Sequence, residues 1–135
     1  MAQPERMAGF HFFNPVPKMP LVEVIAPEGG DPVAVNTVFA FTRKLGKTPV
    51  LVKDTPGFLV NRLLMFYSVE ALWLLDEGYR IEDLDRAMTE WGMPVGPMEL
   101  TDEVGIDVAM AIGEALFAES GEKHHRPPGA LTDLA

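Results

Sequence analysis

The sequence contains no cysteine, which excludes a disulfide framework and any thiolate metal site and is compatible with a reducing compartment. Positive charge is scarce: 11 Lys plus Arg stand against 20 Asp plus Glu, for a formal net charge of −9. That balance disfavours nucleic acid and anionic membrane surfaces as partners. The N-terminus lacks the basic and apolar succession of a secretory signal, since MAQPER is polar, and a cytoplasmic location is expected. A membrane span is missing as well. The most apolar run, Phe58 to Leu75, carries Arg62 and Glu70, whose charges are costly at bilayer depth, so it reads as a buried helix of a soluble protein. Neither G-x-G-x-x-G after a strand nor G-x-x-x-x-G-K-[ST] occurs, which leaves an autonomous nucleotide-binding loop without support. There is no internal repeat and no low-complexity segment.

What is present divides into two compositional parts. With 135 residues, the chain can bury about two thirds of the surface that its unfolded form exposes. Residues 8 to 13 and 21 to 25 are short, aromatic or β-branched, and flank the proline-punctuated loop NPVPKMP, the pattern of two strands and a fixed turn. Asp31 before Pro32 supplies an N-cap and a first helical residue, and Val35, Val38, Phe39, Thr42 and Leu45 follow at helical spacing up to Gly46. The run VLV before Lys53 and Asp54 then predicts a third strand. At DTPGF, residues 54 to 58, a Pro-Gly pair ends the strand pattern. Only helical signals follow: Phe58 to Glu77 closed by Gly78, Ile81 to Trp91, a helix starting near Pro97, and Gly105 to Glu119. The polar, Pro-rich tail from Ser120 is expected to be poorly ordered.

Within the first part, His11 sits among aromatic residues and Glu23 interrupts an aliphatic run. An ionisable group in a strand is costly to desolvate unless a partner offsets the loss. A neutral imidazole can accept a proton near neutral pH and return it, and a carboxylate can fix its tautomer and stabilise the imidazolium. Spacing alone leaves a structural alternative open: a His bonded to backbone, and a Glu paired with Lys18 or Lys53. Asn61, on a helix apolar almost all round, shares a thin polar face with Ser68 two turns on; its amide suits a carbonyl or hydroxyl ligand, or else a backbone group. His124 and His125 are adjacent and share no helical face, so no metal site is expected from them. The methionines read as gap-filling core or surface groups.

Three segments, HFFNPVPKMPLVEVI, KLGKTPVLVKDTPGFLVNRLL and PVGPMELTDEVGID, in this order and spacing, resemble the 3-hydroxyacyl-CoA dehydrogenase family of fatty acid β-oxidation, and in particular the dehydrogenase part of multifunctional fatty-oxidation α-subunits. The likeness runs from about Glu5 to about Glu119. It implies an α/β tail of a Rossmann-type, NAD-binding domain over residues 1–54. An all-α helical domain of the type found at the C-terminus of 6-phosphogluconate dehydrogenase follows over residues 55–135, for substrate and dimerisation. By this resemblance His11 corresponds to the histidine that takes the proton of the 3-hydroxyl, Glu23 to the acid that orients it, Asn61 to a substrate-side asparagine, and Asn14 to an active-site asparagine near the cofactor.

The resemblance also implies features that this sequence lacks: the Gly-rich NAD loop, the acidic ribose ligand and an active-site serine upstream. The chain is therefore read as a fragment of an enzyme that oxidises (3S)-3-hydroxyacyl-CoA to 3-ketoacyl-CoA with NAD, carrying the acid/base pair without the cofactor loop and inactive alone. A rival from another class is a non-catalytic helical self-association module. In either case residues 8 to 13 are expected to form a bare sheet edge that pairs in a homo-oligomer.

Overall fold

The computed structural model describes residues 3–121, which fall into two compact units divided between Leu59 and Val60. The expectation for the tail beyond Gly121 lies outside these residues.

The first unit opens with a 3-10 turn, Pro4–Arg6, that the sequence pattern did not indicate. Strand β1 (Gly9–Phe12) runs antiparallel to β2 (Leu21–Ala26), and β2 is followed by helix α1 (Pro32–Lys44) and strand β3 (Thr48–Lys53), which lies parallel to β2. The sheet order is β1-β2-β3. A helix between two parallel neighbours is the crossover that parallel pairing requires. As the central strand, β2 is the most buried, with Val22, Glu23 and Val24 all at 0% exposure. Its aliphatic run is thereby explained, and Glu23 becomes the exception needing a partner.

Helix α1 begins as its sequence dictates: Asp31 accepts a hydrogen bond from the Val33 amide at 2.8 Å, and Pro32 occupies the first turn. Its inner face buries Val35 and Thr42, and the Thr42 hydroxyl donates to the Val38 carbonyl. The third strand starts earlier than the VLV run suggests, taking in Thr48 and Pro49, and Pro49 stands opposite Val22. A proline is tolerated there because β3 has β2 as its one strand neighbour among the described residues, so the missing donor interrupts no ladder on the other side. The loop after β1 is tied down by Lys47, whose ammonium donates to the carbonyls of Val16 and Met19.

The second unit is helical: α2 (Val60–Asp76), α3 (Ile81–Trp91), α4 (Pro97–Val104) and α5 (Ile106–Ser120). Helix α2 supplies most of its core, with Ala71 and Leu72 packing on Met98 of α4 and Met65 and Val69 packing on Leu116 of α5. On the opposite flank of α2, Leu63 and Phe66 are exposed. The expected buried helix is thus buried on the face of Met65, Val69, Ala71 and Leu72.

The start of α4 shows how the helices are locked together. Gly96, its N-cap residue, has no side chain to cap with, and Asp85 of α3 takes the role from outside, accepting from the amides of Met98 at 2.8 Å and Glu99 at 3.2 Å. A negative group at a helix N-terminus satisfies orphan donors and complements the dipole. Gly96 permits the approach, since a Cβ there would lie 2.4 Å from atoms of Asp85. Beside this contact the Tyr67 hydroxyl is buried without a hydrogen-bond partner among the described residues. Desolvation, and then the charge of Asp85, push its pKa above the usual tyrosine value. At the far end of α4, Gly105 ends the helix with φ +97°, a conformation that side chains other than glycine's rarely adopt.

Candidate active site

The site in the first unit follows from strand register. His11 and Glu23 stand directly opposite each other in the β1–β2 pair, and opposed residues of an antiparallel pair project to the same face within about 5 Å of each other. His11 Nδ1 lies 2.8 Å from Glu23 Oε2. Of the alternatives that the sequence leaves open, this pair is the one realised.

A carboxylate only accepts, so Nδ1 must carry the hydrogen in this bond, which leaves Nε2 of the neutral ring with its lone pair. No hydrogen bond engages Nε2 among the described residues. The two groups differ in exposure, with the His11 side chain at 31% and that of Glu23 at 0%. The acid is thus sequestered as a positioning group, and the imidazole is reachable.

Glu23 is held from a second side. Its Oε1 accepts from the Leu59 amide at 2.9 Å, and this donor is delivered by the turn after β3. In that turn the Phe58 amide donates to the Thr55 carbonyl at 2.9 Å, and Phe58 itself adopts φ +46°. A left-handed conformation in a bulky residue costs about 1–3 kcal/mol and persists only where its surroundings impose it. Here the turn sets the Phe58 ring 5.5 Å from the His11 ring and aims the next amide at Glu23. The rings of His11 and Phe13 meet edge to face at 5.0 Å, so the imidazole is bracketed by two aromatics and a carboxylate. This turn is also why α2 begins at Val60 rather than at Phe58 as the apolar run suggests.

Asn14 lies in the exposed loop directly after β1, three residues beyond His11, and its peptide bond to Pro15 is cis. Asn61 belongs to the second unit, in the first turn of α2, and lines a cavity with Ser68. The shared polar face of these two residues is therefore found, opening on a pocket. Leu59, Phe58 and Phe13 are contributors that the sequence reading missed. The signal for them was the buried Glu23, whose second oxygen also required a donor. Among the described residues no three His, Asp or Glu side chains stand together as metal ligands, and His124 and His125 lie outside those residues.

Residues 57–135 match the family description "3-hydroxyacyl-CoA dehydrogenase, C-terminal domain". The chain belongs to the 3-hydroxyacyl-CoA dehydrogenase family. Residues 1–55 match this family's NAD binding domain. A fatty acid oxidation complex subunit alpha from Shewanella frigidimarina is 53% identical over 126 residues, which is 93% of this chain and 18% of that protein. Among solved structures, M. tuberculosis FadB2 superposes with a TM-score of 0.92 at 38% identity, covering 98% of this chain and 47% of its own. The (S)-3-hydroxybutyryl-CoA dehydrogenase PaaH1 of Ralstonia eutropha gives 0.92 at 37%, covering 98% and 48%. The chain thus spans less than half of the length of either structure and about a fifth of the curated relative.

Family membership implies NAD, and the residues present do not fit its pyrophosphate. The turn between β2 and α1 carries Gly29 and Gly30 without the G-x-G-x-x-G spacing, and the carboxylate of Asp31 accepts from the Val33 amide at the N-terminus of α1. A negative group already occupies the place where a phosphate would bind. No helix among the described residues is long and apolar enough to cross a membrane.

Proposed function

We propose that this chain supplies the proton-transferring pair of an NAD-dependent (S)-3-hydroxyacyl-CoA dehydrogenase of fatty acid β-oxidation, which converts 3-hydroxyacyl-CoA to 3-ketoacyl-CoA. The observation that carries this reading is the His11–Glu23 bond at 2.8 Å, with its carboxylate buried and its imidazole reachable. In this reaction His11 Nε2 accepts the proton of the 3-hydroxyl as the carbon is oxidised, and returns it in the reverse direction. Glu23 holds the ring in the required tautomer and stabilises the imidazolium that forms. Asn61 binds substrate through its amide, and Asn14 lies on the cofactor side. Residues 1–54 act as the end of the nucleotide domain and residues 55–135 as the helical substrate domain, in a cytoplasmic enzyme.

Because the residues present form no pyrophosphate cradle, the 135-residue protein alone gives no NADH from 3-hydroxybutyryl-CoA, and calorimetric titration with NAD shows no saturable heat. Titration with acetoacetyl-CoA gives saturable binding. Saturable NAD binding would contradict the reading of the nucleotide half, and the absence of any acetoacetyl-CoA binding would contradict the substrate assignment.

A second reading, self-association, is favoured by the flank of α2 that carries exposed Leu63 and Phe66, and by β1, which has one strand neighbour among the described residues. Sedimentation equilibrium is expected to give a dimer or larger species; a monomer at high concentration would remove this reading.

A further inference from the structure

The loop that follows β1, residues 14–20, is exposed along its whole length, yet it begins with a residue of the site, Asn14. We propose that Lys47 is a positioning residue of the dehydrogenase: its ammonium fixes this loop, and through the loop it holds Asn14 in place on the cofactor side. The proposal rests on the function proposed above and deepens it.

The loop has little of its own to hold it. Its sequence, NPVPKMP, places Pro15, Pro17 and Pro20 where other residues would offer an amide hydrogen. It buries no side chain in the core, and segments that lack buried apolar contacts open at low free energy. Within it the amides of Lys18 and Met19 donate to the Pro15 carbonyl at 2.9 and 3.1 Å, which closes a single turn. The ammonium of Lys47 then donates to the carbonyls of Val16 and Met19, the latter at 2.8 Å. Beyond that turn the Thr48 amide donates to the Pro20 carbonyl at 2.8 Å. On the near side the Phe13 ring rests on that of His11. Asn14 therefore lies between an anchor in the site itself and the clamp that Lys47 makes.

The base of the clamp is rigid where the loop is not. The Lys47 amide donates to the Thr42 carbonyl at 3.2 Å across Gly46, whose φ of +74° turns the chain at the end of α1. The next residue, Thr48, opens β3. The partners of the ammonium are equally telling. The sequence offers 20 carboxylate side chains, yet Lys47 forms no ion pair among the described residues and is aimed at two main-chain carbonyls, 28 and 31 positions away. An ionised donor makes a stronger hydrogen bond than a neutral one, and the three hydrogens of an ammonium can serve two acceptors at once. A lysine that served solubility alone would keep its charge in water.

Two measurements test this. In the 135-residue protein, NMR relaxation of the amide nitrogens of Asn14, Val16, Lys18 and Met19 reads the order of the loop. Lys47→Met keeps the stem without the donors and is expected to lower that order while β1 and β2 stay as they are. Lys47→Arg, which remains charged and has donors enough for both carbonyls, keeps the loop ordered. Activity is read in a chimaera in which residues 1–135 replace the matching segment of a solved relative. There Lys47→Met lowers kcat/KM for NAD about tenfold to a hundredfold, the scale of a displaced positioning group, with the thermal midpoint within about 3 °C of the wild type. Lys47→Arg restores kcat/KM to within about threefold. In an Asn14→Ala background Lys47→Met costs less than about twofold more, because the lysine acts through the asparagine. An unchanged loop, an unchanged kcat/KM, or a loss that adds in full to that of Asn14→Ala would each overturn the assignment. So would a loss that follows a fall in thermal midpoint and that arginine does not rescue, since Lys47 would then hold only the fold. No NADH from the unsubstituted chimaera, with the loop of the 135-residue protein still dependent on Lys47, would instead defeat the underlying functional reading.

Discussion

Replacing Glu23 by Gln is expected to lower kcat by about three to four orders of magnitude with only modest loss of stability. The assay is a chimaera in which residues 1–135 replace the matching segment of a solved relative, so that a complete cofactor site is present. The carboxylate accepts from His11 Nδ1 and from the Leu59 amide, one with each oxygen. An amide can keep the second bond through its carbonyl but then turns its NH2 toward the ring. Nδ1 becomes the acceptor and the hydrogen moves to Nε2, the atom that must take the substrate proton. The comparable carboxylate-to-amide change in a Ser-His-Asp triad costs about 10⁴ in kcat through the same tautomer error. Glu23→Ala would confuse the issue, because the part-buried donors on His11 and Leu59 would lose their acceptor and stability would fall together with activity. A Glu23→Gln chimaera retaining kcat within about threefold would show that the acid does not orient the base.

Removing the imidazole gives the second large effect. His11→Ala and His11→Gln each lower kcat by about 10²–10⁴, the usual contribution of a positioned general base, with KM little changed. The two variants separate chemistry from folding. Alanine leaves the buried Glu23 one donor short and lowers the thermal midpoint, since an under-partnered buried charge is costly. Glutamine can still donate to Glu23 Oε2 and keeps more of that stability, yet it cannot hold a proton reversibly. Combining His11→Gln with Glu23→Gln adds little to either loss in kcat, because the carboxylate acts through the ring. Additive losses would mean that the two residues act independently.

The parts of this fold that were legible in the sequence are those written by short-range rules. Asp31 and Pro32 announce the start of α1 and fulfil it. Pro97 opens α4 at the position that its chemistry favours. His11 and Glu23 were readable as two costly strand residues, but their pairing depends on register, which a one-residue slip would have reversed by sending one side chain to the other face.

What escaped the sequence is what depends on distant partners. Phe58 belongs to an apolar run that continues into α2, and its left-handed backbone becomes intelligible only when the Leu59 amide is seen on Glu23, 36 residues away in sequence. Asp85 looks like an ordinary exposed residue of α3, yet it caps α4 across 13 positions, and Gly96 is small because of it. The face shared by Asn61 and Ser68 followed from helical periodicity. The cavity it borders did not, because it requires the packing of α4 and α5.

The measurement that tests the dyad most directly is the tautomeric state of His11 in the 135-residue protein, read from the nitrogen and proton NMR shifts of its imidazole at a pH where the ring is neutral. The geometry requires the hydrogen on Nδ1, with its proton shifted downfield by the Glu23 carboxylate and lost from that position in Glu23→Gln. A hydrogen on Nε2, or a ring averaging between the two tautomers without regard to Glu23, would contradict the account.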